Sequence, residues 1–283
     1  MSIRMQHNIN EMLEQFRAKL LLEEKSKNTV EKYLRDTKKF LQFIAGEEIT
    51  KPAVLSYKQY LLDSGYAERS INSMLASVKH FLKLIGKENM SAKSIRIQQK
   101  PFCESEKELT REEYIRLLNE AESEHKLRLS MMLQTICATG IRVSELKYIT
   151  VKAVRKGEVK VNCKGKVRLI MIIKSLQKKL LAYIREQRIE KGMVFITKSG
   201  KPLNRSNIWR EMKNICRAAR VNPKKVFPHN LRHLFARCFY AIDKDLAKLA
   251  DILGHASINT TRIYLTDDGR EHRKKLEMLR LIV

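Results

Sequence analysis

The chain has 283 residues, of which 57 are Lys or Arg and 31 are Asp or Glu, so its formal net charge is +26. Hydrophobic residues make up 43% of the sequence, which is enough to build packed cores and excludes a disordered chain as the default. The length favours two domains, and the charge favours nucleic acid or an anionic membrane as a partner over the alternative of a basic protein without one. No apolar run reaches the length of a membrane span and no signal peptide is visible, so the sequence predicts a cytoplasmic protein without a membrane partner.

The cysteines give no sign of a metal site or of a disulfide framework. Their number is odd, their spacing is wide and no CxxC pair occurs, which favours a reducing compartment. Each is interpreted as a small apolar residue of a core. They are Cys103, Cys137, Cys163, Cys216 and Cys238.

Residues 8–89 form the first predicted domain, because apolar residues recur there at helical spacing. The pattern indicates four helices, with many Lys and Arg residues along them. The third helix begins at Thr50, just before Pro52, and ends at Ser64–Gly65. Ser70 is expected to open the fourth.

The helical periodicity breaks between residues 90 and 107, which read as an exposed linker. A second domain then begins with Thr110 and Glu113, whose spacing fits a capping box at the start of a helix. The predicted organisation is therefore a helical domain at 1–89, the linker, and a second domain at 108–283.

Most of the second domain is also predicted to be helical, apart from one hairpin. A helix from about His125 to Thr139 should end at Gly140. Glu158–Cys163 and Val167–Ile173 are rich in β-forming residues and flank a turn, and residues 194–196 suggest a further short strand. The remaining predicted helices cover about 176–190, 206–219, 230–242, 245–253, 258–265 and 269–279. The fold class is mainly α with a small β hairpin.

Two arginines and two histidines in this domain suggest a site for a phosphate group. Guanidinium groups are planar, permanently charged and able to donate two parallel hydrogen bonds to phosphate oxygens. Arg142 follows the predicted helix end at Gly140, whereas Arg232 lies three residues after His229 and on the same helical face. His229 and His255 follow a proline and a glycine at helix edges, from which an imidazole can donate to phosphate or move a proton.

A tyrosine and a hairpin lysine complete the candidate site. Tyr264 is the candidate nucleophile, because nearby cationic groups would favour its phenolate form. Lys164 at the tip of the predicted hairpin could protonate a leaving hydroxyl, with Lys166 as the rival for that role. Glu145, three residues after Arg142, could orient that arginine or anchor the hairpin. Taken singly, each residue has an ordinary structural explanation, and only the set of motifs favours catalysis.

The motifs together resemble the tyrosine recombinase (phage integrase) family, in particular its short Xer-like bacterial members and transposon integrases. They read Ala-Thr-Gly-Ile-Arg142-Val-Ser-Glu-Leu, Cys-Lys164-Gly-Lys, Pro-His229-Asn-Leu-Arg232-His and Leu-Gly-His255-Ala-Ser-Ile-Asn-Thr-Thr-Arg-Ile-Tyr264. The resemblance extends over nearly the whole chain. It implies a SAM-like core-binding domain followed by an α+β catalytic domain.

The resemblance also implies a role for each site residue. Arg142 and Arg232 would bind the scissile phosphate, to which His255 would donate a hydrogen bond. His229 would assist proton transfer at the oxygen of Tyr264, which attacks phosphorus, and Lys164 would protonate the departing 5′-hydroxyl. Glu145 would support the site, and neither a metal nor another cofactor would be needed.

The expected activity is site-specific cleavage and rejoining of double-stranded DNA at inverted-repeat core sites, through a 3′-phosphotyrosine and without ATP. Similar enzymes act as tetramers on DNA, and a C-terminal helix at about 269–279 would dock on a neighbouring copy through Leu276, Met278, Leu279 and Leu281. The alternative is an architectural or regulatory DNA-binding protein that has the same fold and does not cut. A type IB topoisomerase would share the chemistry, but the two-domain layout fits a recombinase better.

Overall fold

In a computed structural model, the chain folds as two compact units, Met1–Gln99 and Lys100–Val283. The structure describes residues 3–97, 108–163, 166–197, 199–255, 257–262 and 277–278, apart from the side chains of residues 3–8, Cys163 and Lys166. Within these ranges, no helix has the length and apolar character needed to cross a membrane. The fold class predicted from the sequence, mainly α with a small hairpin, is confirmed.

The first unit consists of four helices around one apolar core. They are α1 (Ile3–Leu22), α2 (Lys27–Ile44), α3 (Lys51–Asp63) and α4 (Glu68–Leu84). Ser26 and Thr50 cap α2 and α3 by accepting hydrogen bonds from backbone N–H groups of the first turn. Phe16, Phe40 and Phe81 are fully buried in the core, as the helical periodicity requires.

The first unit differs from the sequence-based expectation at its C-terminal side. Helix α4 begins at Glu68, two residues before Ser70, because Ala67 takes the extended conformation of the N-cap position. Residues 91–97 lie against this unit, since Asn72 exchanges two hydrogen bonds with the backbone of Ile95, at 2.7 and 2.8 Å. Residues 98–107 are outside the described ranges, so the bounds of a linker at 90–107 remain a prediction.

The second unit packs eight helices and one hairpin in its described part. The elements are α5 (Arg111–Ser123), α6 (Leu127–Thr139), α7 (Val151–Lys156), β1 (Glu158–Cys163), β2 (Lys166–Met171), α8 (Lys174–Glu186), α9 (Arg205–Asn214), α10 (Pro228–Ile242), α11 (Leu246–Leu253) and α12 (Ile258–Arg262). The capping box of Thr110 and Glu113 is present at the start of α5. β1 and β2 pair antiparallel, and Val161 is opposite Arg168.

Several predicted elements of this unit have different bounds or a different nature, among them α8, which ends at Glu186 rather than at 190. Residues 194–196 do not form a strand, because pairing here is limited to isolated bridges such as Ile196 with Pro202. Helix α9 ends at Asn214 rather than at 219, and the chain then continues in turns to Arg220, which has a positive φ of 51°. Helix α10 begins two residues earlier than predicted, at Pro228, whose fixed φ suits the first position of a helix.

Candidate active site

Arg232 lies at the centre of the candidate site and is the largest fully buried side chain of the described residues, with 1% of its surface exposed. Its guanidinium group donates to the carbonyl oxygen of Gly140 and, at 2.6 Å, to that of Leu253. The same group contacts His255, with 3.0 Å between Nη2 and Nε2. Arg232 therefore ties together the ends of α6 and α11.

Helix packing explains this position. Helix α10 packs against both α6 and α11. Leu231 is completely buried in the main core and Ala236 in a small cluster with Leu249 and Leu253. Because α10 is buried on more than one side, its polar residue at position 232 must find its hydrogen bonds inside the protein.

Arg142 and Glu145 lie beside this centre. Arg142 stands at the N-cap of a short 3-10 helix, Val143–Tyr148, and its guanidinium group donates to Glu145 at 3.0 Å and to the carbonyl oxygen of Gly254 at 3.1 Å. The backbone N–H of Arg142 also donates to Glu145, at 2.9 Å. The two sequence-predicted arginines thus donate to the carbonyl oxygens of Leu253 and Gly254, which are consecutive in the chain.

Glu145 also holds the hairpin. Arg168 on β2 donates to its second carboxylate oxygen at 2.5 Å and to the carbonyl oxygen of Ile252 at 2.9 Å. Burial acts to raise the pKa of Glu145, but the hydrogen bonds from Arg142 and the positive charges of Arg168 and Arg142 outweigh it, so the pKa lies below its usual value. Glu145 is consequently a buried carboxylate that links Arg142 to Arg168.

His255 directly follows Gly254 at the end of α11. Its Nδ1 atom is 2.8 Å from the hydroxyl oxygen of Thr261 on α12, and its Nε2 atom faces Arg232. Burial, followed by the charges of Arg232, Arg142 and Arg168, lowers the pKa of His255 to about 4. In this structure His255 is therefore neutral at pH 7.

His229 and His233 lie one helical turn apart on α10, with ring centroids 4.8 Å apart in an edge-to-face arrangement. Burial is the largest cause that lowers the pKa of His229, and Arg232, Arg205 and Arg142 contribute further. Burial and the neighbouring His229 lower the pKa of His233 to about 3. A neutral His229 has a nitrogen lone pair, which proton acceptance requires.

The structure leaves two of the predicted site residues unplaced. Lys164 and Tyr264 lie outside the described residues, and so does the side chain of Lys166. Most of the predicted C-terminal helix at about 269–279 also lies outside them. The structure brings together Arg142, Glu145, Arg232 and His255, with His229 one turn from Arg232 on α10.

Two residues of this cluster were not singled out by sequence reasoning as site residues. They are Arg168, two residues after Lys166, and Thr261, which the sequence shows only as a part of the last motif. Alternation along β2 gives some signal for Arg168, because position 168 is on the same face of the hairpin as the buried Ile170. For Thr261 the sequence offers no such signal, because residues 258–260 of the same helix are exposed and the burial of Thr261 follows from tertiary packing.

The described residues contain no group of three or more His, Cys, Asp or Glu side chains that could hold a metal ion. The cluster is instead rich in guanidinium groups, which attract anions. Its charge and its hydrogen-bond donors suit a phosphate group.

A second basic feature lies on the first unit. A groove there is lined by Lys32, Arg35, Lys38 and Lys39 of α2, together with residues of α4. The carboxylate of Asp36, which is 3% exposed, accepts hydrogen bonds from Lys32 at 2.6 Å and from Ser77 at 3.1 Å, as well as from Arg35. A buried carboxylate thus fixes two basic side chains at the edge of this groove.

Replacement of Gly140 by Ala should destabilise the second unit by about 2–5 kcal/mol, the sum of backbone strain and overpacking. Gly140 has a φ of +62°, and an added Cβ would be 2.6 Å from the ring of Phe235. Gly192→Ala is the matched control, because Gly192 has a φ of +82° and no heavy atom within 4 Å of such a Cβ. Urea unfolding should show the larger loss for Gly140→Ala. Equal losses would mean that the Phe235 ring moves away at no cost.

Comparison with known proteins agrees with this architecture. Residues 107–271 match the model of the phage integrase family, and residues 13–89 match the model of its N-terminal SAM-like domain. Tyrosine recombinase XerA of Pyrococcus furiosus is 32% identical over 280 residues, which cover 96% of this chain and 95% of that protein. Tyrosine recombinase XerD of Halalkalibacterium halodurans is 31% identical over 260 residues, which cover 84% of this chain and 87% of that protein.

Solved structures show the same likeness. A crystal structure of XerA recombinase is 26% identical, with a TM-score of 0.54 over 97% of this chain and 99% of that one. A lambda integrase dimer bound to a COC′ core site is 18% identical, with a TM-score of 0.72 over 92% of this chain and 96% of that one. The lambda integrase likeness shows the fold alone. By the family models and by its curated relatives, this chain belongs to the phage integrase family, as a relative of the Xer tyrosine recombinases.

Proposed function

We propose that this chain is a site-specific tyrosine recombinase, which cleaves and rejoins double-stranded DNA through a covalent 3′-phosphotyrosine. One observation carries the proposal. Arg142 and Arg232, from distant parts of the sequence, donate to the consecutive carbonyl oxygens of Leu253 and Gly254, and His255 follows directly. Two guanidinium groups and an imidazole are thus fixed around one turn before substrate arrives, and preorganised charge of this kind is a large term in catalysis.

The reaction exchanges one phosphate ester for another. The phenolic oxygen of Tyr264 attacks phosphorus, His229 accepts its proton, and the bond from phosphorus to the 5′-oxygen breaks. Lys164 protonates that oxygen, with Lys166 as the alternative donor. Arg142 and Arg232 neutralise the charge that grows on the nonbridging oxygens, and His255 donates to one of them.

The exchange needs neither metal nor ATP. Fixed arginines supply the charge stabilisation, and the phosphotyrosine conserves the energy of the ester until a 5′-hydroxyl from another strand reverses the step. Glu145 orients Arg142 in this scheme.

DNA binding is supported by the charge of the chain. The net charge of +26 and the basic groove on α2 favour contacts with phosphates, which make affinity fall steeply with salt. We propose double-stranded DNA with inverted-repeat core sites as the substrate, a homotetramer on DNA as the active assembly, and the cytoplasm as its location. In this assembly residues 1–89 form the core-binding domain and residues 108–283 the catalytic domain, joined by a linker at 90–107. A helix at about 269–279 docks on the neighbouring copy.

A nicked substrate tests the proposal. Genomic fragments selected by binding to the full chain would first provide the site, and a nick next to the cleavage position would then let the short 5′-hydroxyl strand diffuse away. The wild-type chain should accumulate a covalent DNA–protein adduct, and Tyr264→Phe should form none. Specific binding without any adduct would support the non-cleaving DNA-binding alternative, and an adduct with Tyr264→Phe would show that the nucleophile is another residue.

A further inference from the structure

We propose that Thr261 is a positioning residue whose hydroxyl oxygen holds His255 in the tautomer that carries its proton on Nδ1. This inference rests on the proposed function, in which His255 faces the scissile phosphate. The tautomer decides whether the Nε2 atom, which points at Arg232, accepts or donates a hydrogen bond.

The chemistry of Arg232 determines the tautomer. A guanidinium group has N–H donors and no acceptor, so at 3.0 Å from Nη2 the Nε2 atom of His255 must accept. A neutral imidazole that accepts at Nε2 carries its proton on Nδ1. The Nδ1–H group therefore donates a hydrogen bond to the hydroxyl oxygen of Thr261, which lies 2.8 Å from Nδ1.

Burial makes this acceptor necessary. Thr261 has no exposed surface, whereas its neighbour Thr260 on the same helix is exposed. Because this contact is shielded from solvent on the side of Thr261, removal of the hydroxyl would leave the Nδ1–H group without this acceptor and disfavour the Nδ1–H form. In the alternative tautomer an N–H group at Nε2 would face the N–H groups of Arg232, which is repulsive.

The same contact serves the reaction. When a phosphate enters, its negative charge favours the charged imidazole, so His255 takes up one proton from solvent at Nε2 and donates there to a phosphate oxygen instead of accepting from Arg232. The Nδ1–H group donates to Thr261 before and after this uptake, so the ring keeps its orientation. Thr261 thereby lets the Nε2 atom change its hydrogen-bonding role while the hydrogen bond of the Nδ1–H group stays unchanged.

Nitrogen-15 NMR of the full chain tests the tautomer without DNA, with the His255 signals identified by their loss in His255→Gln. We expect the wild type and Thr261→Ser to show the Nδ1–H form, Thr261→Val to lose its predominance, and the control Thr260→Val to match the wild type. A wild-type Nε2–H form would overturn the proposal, even if Thr261→Val fails to fold. An unchanged tautomer in folded Thr261→Val would also overturn it.

Adduct formation on the nicked substrate gives the second readout. Thr261→Val should form the adduct about 10-fold more slowly or worse, and Thr261→Ser should recover most of the rate. The opposite order, with a normal Val variant and a slow Ser variant, would assign Thr261 to packing and overturn the proposal. If the wild type forms no adduct, the proposed function fails, and the NMR result still decides the role of Thr261.

Discussion

Arg232→Ala is expected to abolish cleavage while DNA binding stays largely intact. Its guanidinium group is buried and fixed by the carbonyl oxygens of Gly140 and Leu253, so it meets the phosphate without reorganisation. Loss of one such preorganised donor costs a factor of about 10²–10³ in rate, and this residue supplies charge as well. Adduct formation on the nicked substrate should therefore fall by about 10³-fold or more.

Two controls separate chemistry from stability. Arg232→Lys keeps the charge but replaces the planar guanidinium group, which can donate two parallel hydrogen bonds, by an ammonium group. Its rate should therefore lie between those of the wild type and Arg232→Ala. Arg237, on the same helix, donates to Glu108 and to the carbonyl oxygen of Leu109, and Arg237→Ala should lower the free energy of unfolding with little effect on the rate. A loss of DNA binding as severe as the loss of cleavage in Arg232→Ala would contradict a transition-state role.

Glu145→Gln is expected to cost about 3 kcal/mol of unfolding free energy at pH 7, as for a buried charge pair that loses one partner. The carboxylate is only 4% exposed and lies between Arg142 and Arg168, at 3.0 and 2.5 Å. A glutamine has the same shape but one side-chain oxygen, and its amide group would face a guanidinium group. Cleavage should also slow, because Arg142 loses the carboxylate that orients it.

The contribution of Glu145 to the free energy of unfolding should decrease at acidic pH. The pKa of Glu145 is lower in the folded protein than the ordinary 4.5, so its contribution is complete above that pH and is lost as the pH falls through the folded value. The gap in unfolding free energy between the wild type and Glu145→Gln should stay constant from pH 7 to about 5 and narrow below about 4.5. Urea unfolding at several pH values measures it. A gap that stays constant to pH 3 would refute the linkage, and Glu124→Gln at an exposed ion pair should show little gap at any pH.

Local chemistry made much of the fold predictable. The helix end at Gly140 follows from its left-handed conformation, and the start of α5 follows from the capping box of Thr110 and Glu113. The hairpin follows from two β-rich segments around a Lys-Gly-Lys turn. Each of these signals acts within a few residues of the chain, so the sequence displays it directly.

Contacts between distant segments were not predictable in the same way. The apolar residues of the segment at 194–196 suggested a strand. Val194 and Phe195 are instead buried in the core without forming one, so their apolar character reflects burial and not strand pairing. Helix α9 ends at Asn214 although Ile215 and Cys216 continue the apolar pattern. Both residues lie in turns and are still buried in the core, so the apolar pattern does not require a longer helix. The partners of Glu145 and His255 on β2 and α12 depend on tertiary packing, which periodicity does not encode.

Besides their side-chain contacts, Arg142 and Arg232 are anchored to main-chain oxygens of the turn at 253–254. Carbonyl groups are present whatever residue occupies a position, so no substitution at 253 or 254 can delete these acceptors. Substitution can only redirect them by altering the local path of the chain, which at Gly254 has a φ of +63°. Substitutions at this turn would therefore be limited by the backbone conformation that they allow. Any substitution that preserves this conformation would keep the hydrogen bonds from both guanidinium groups.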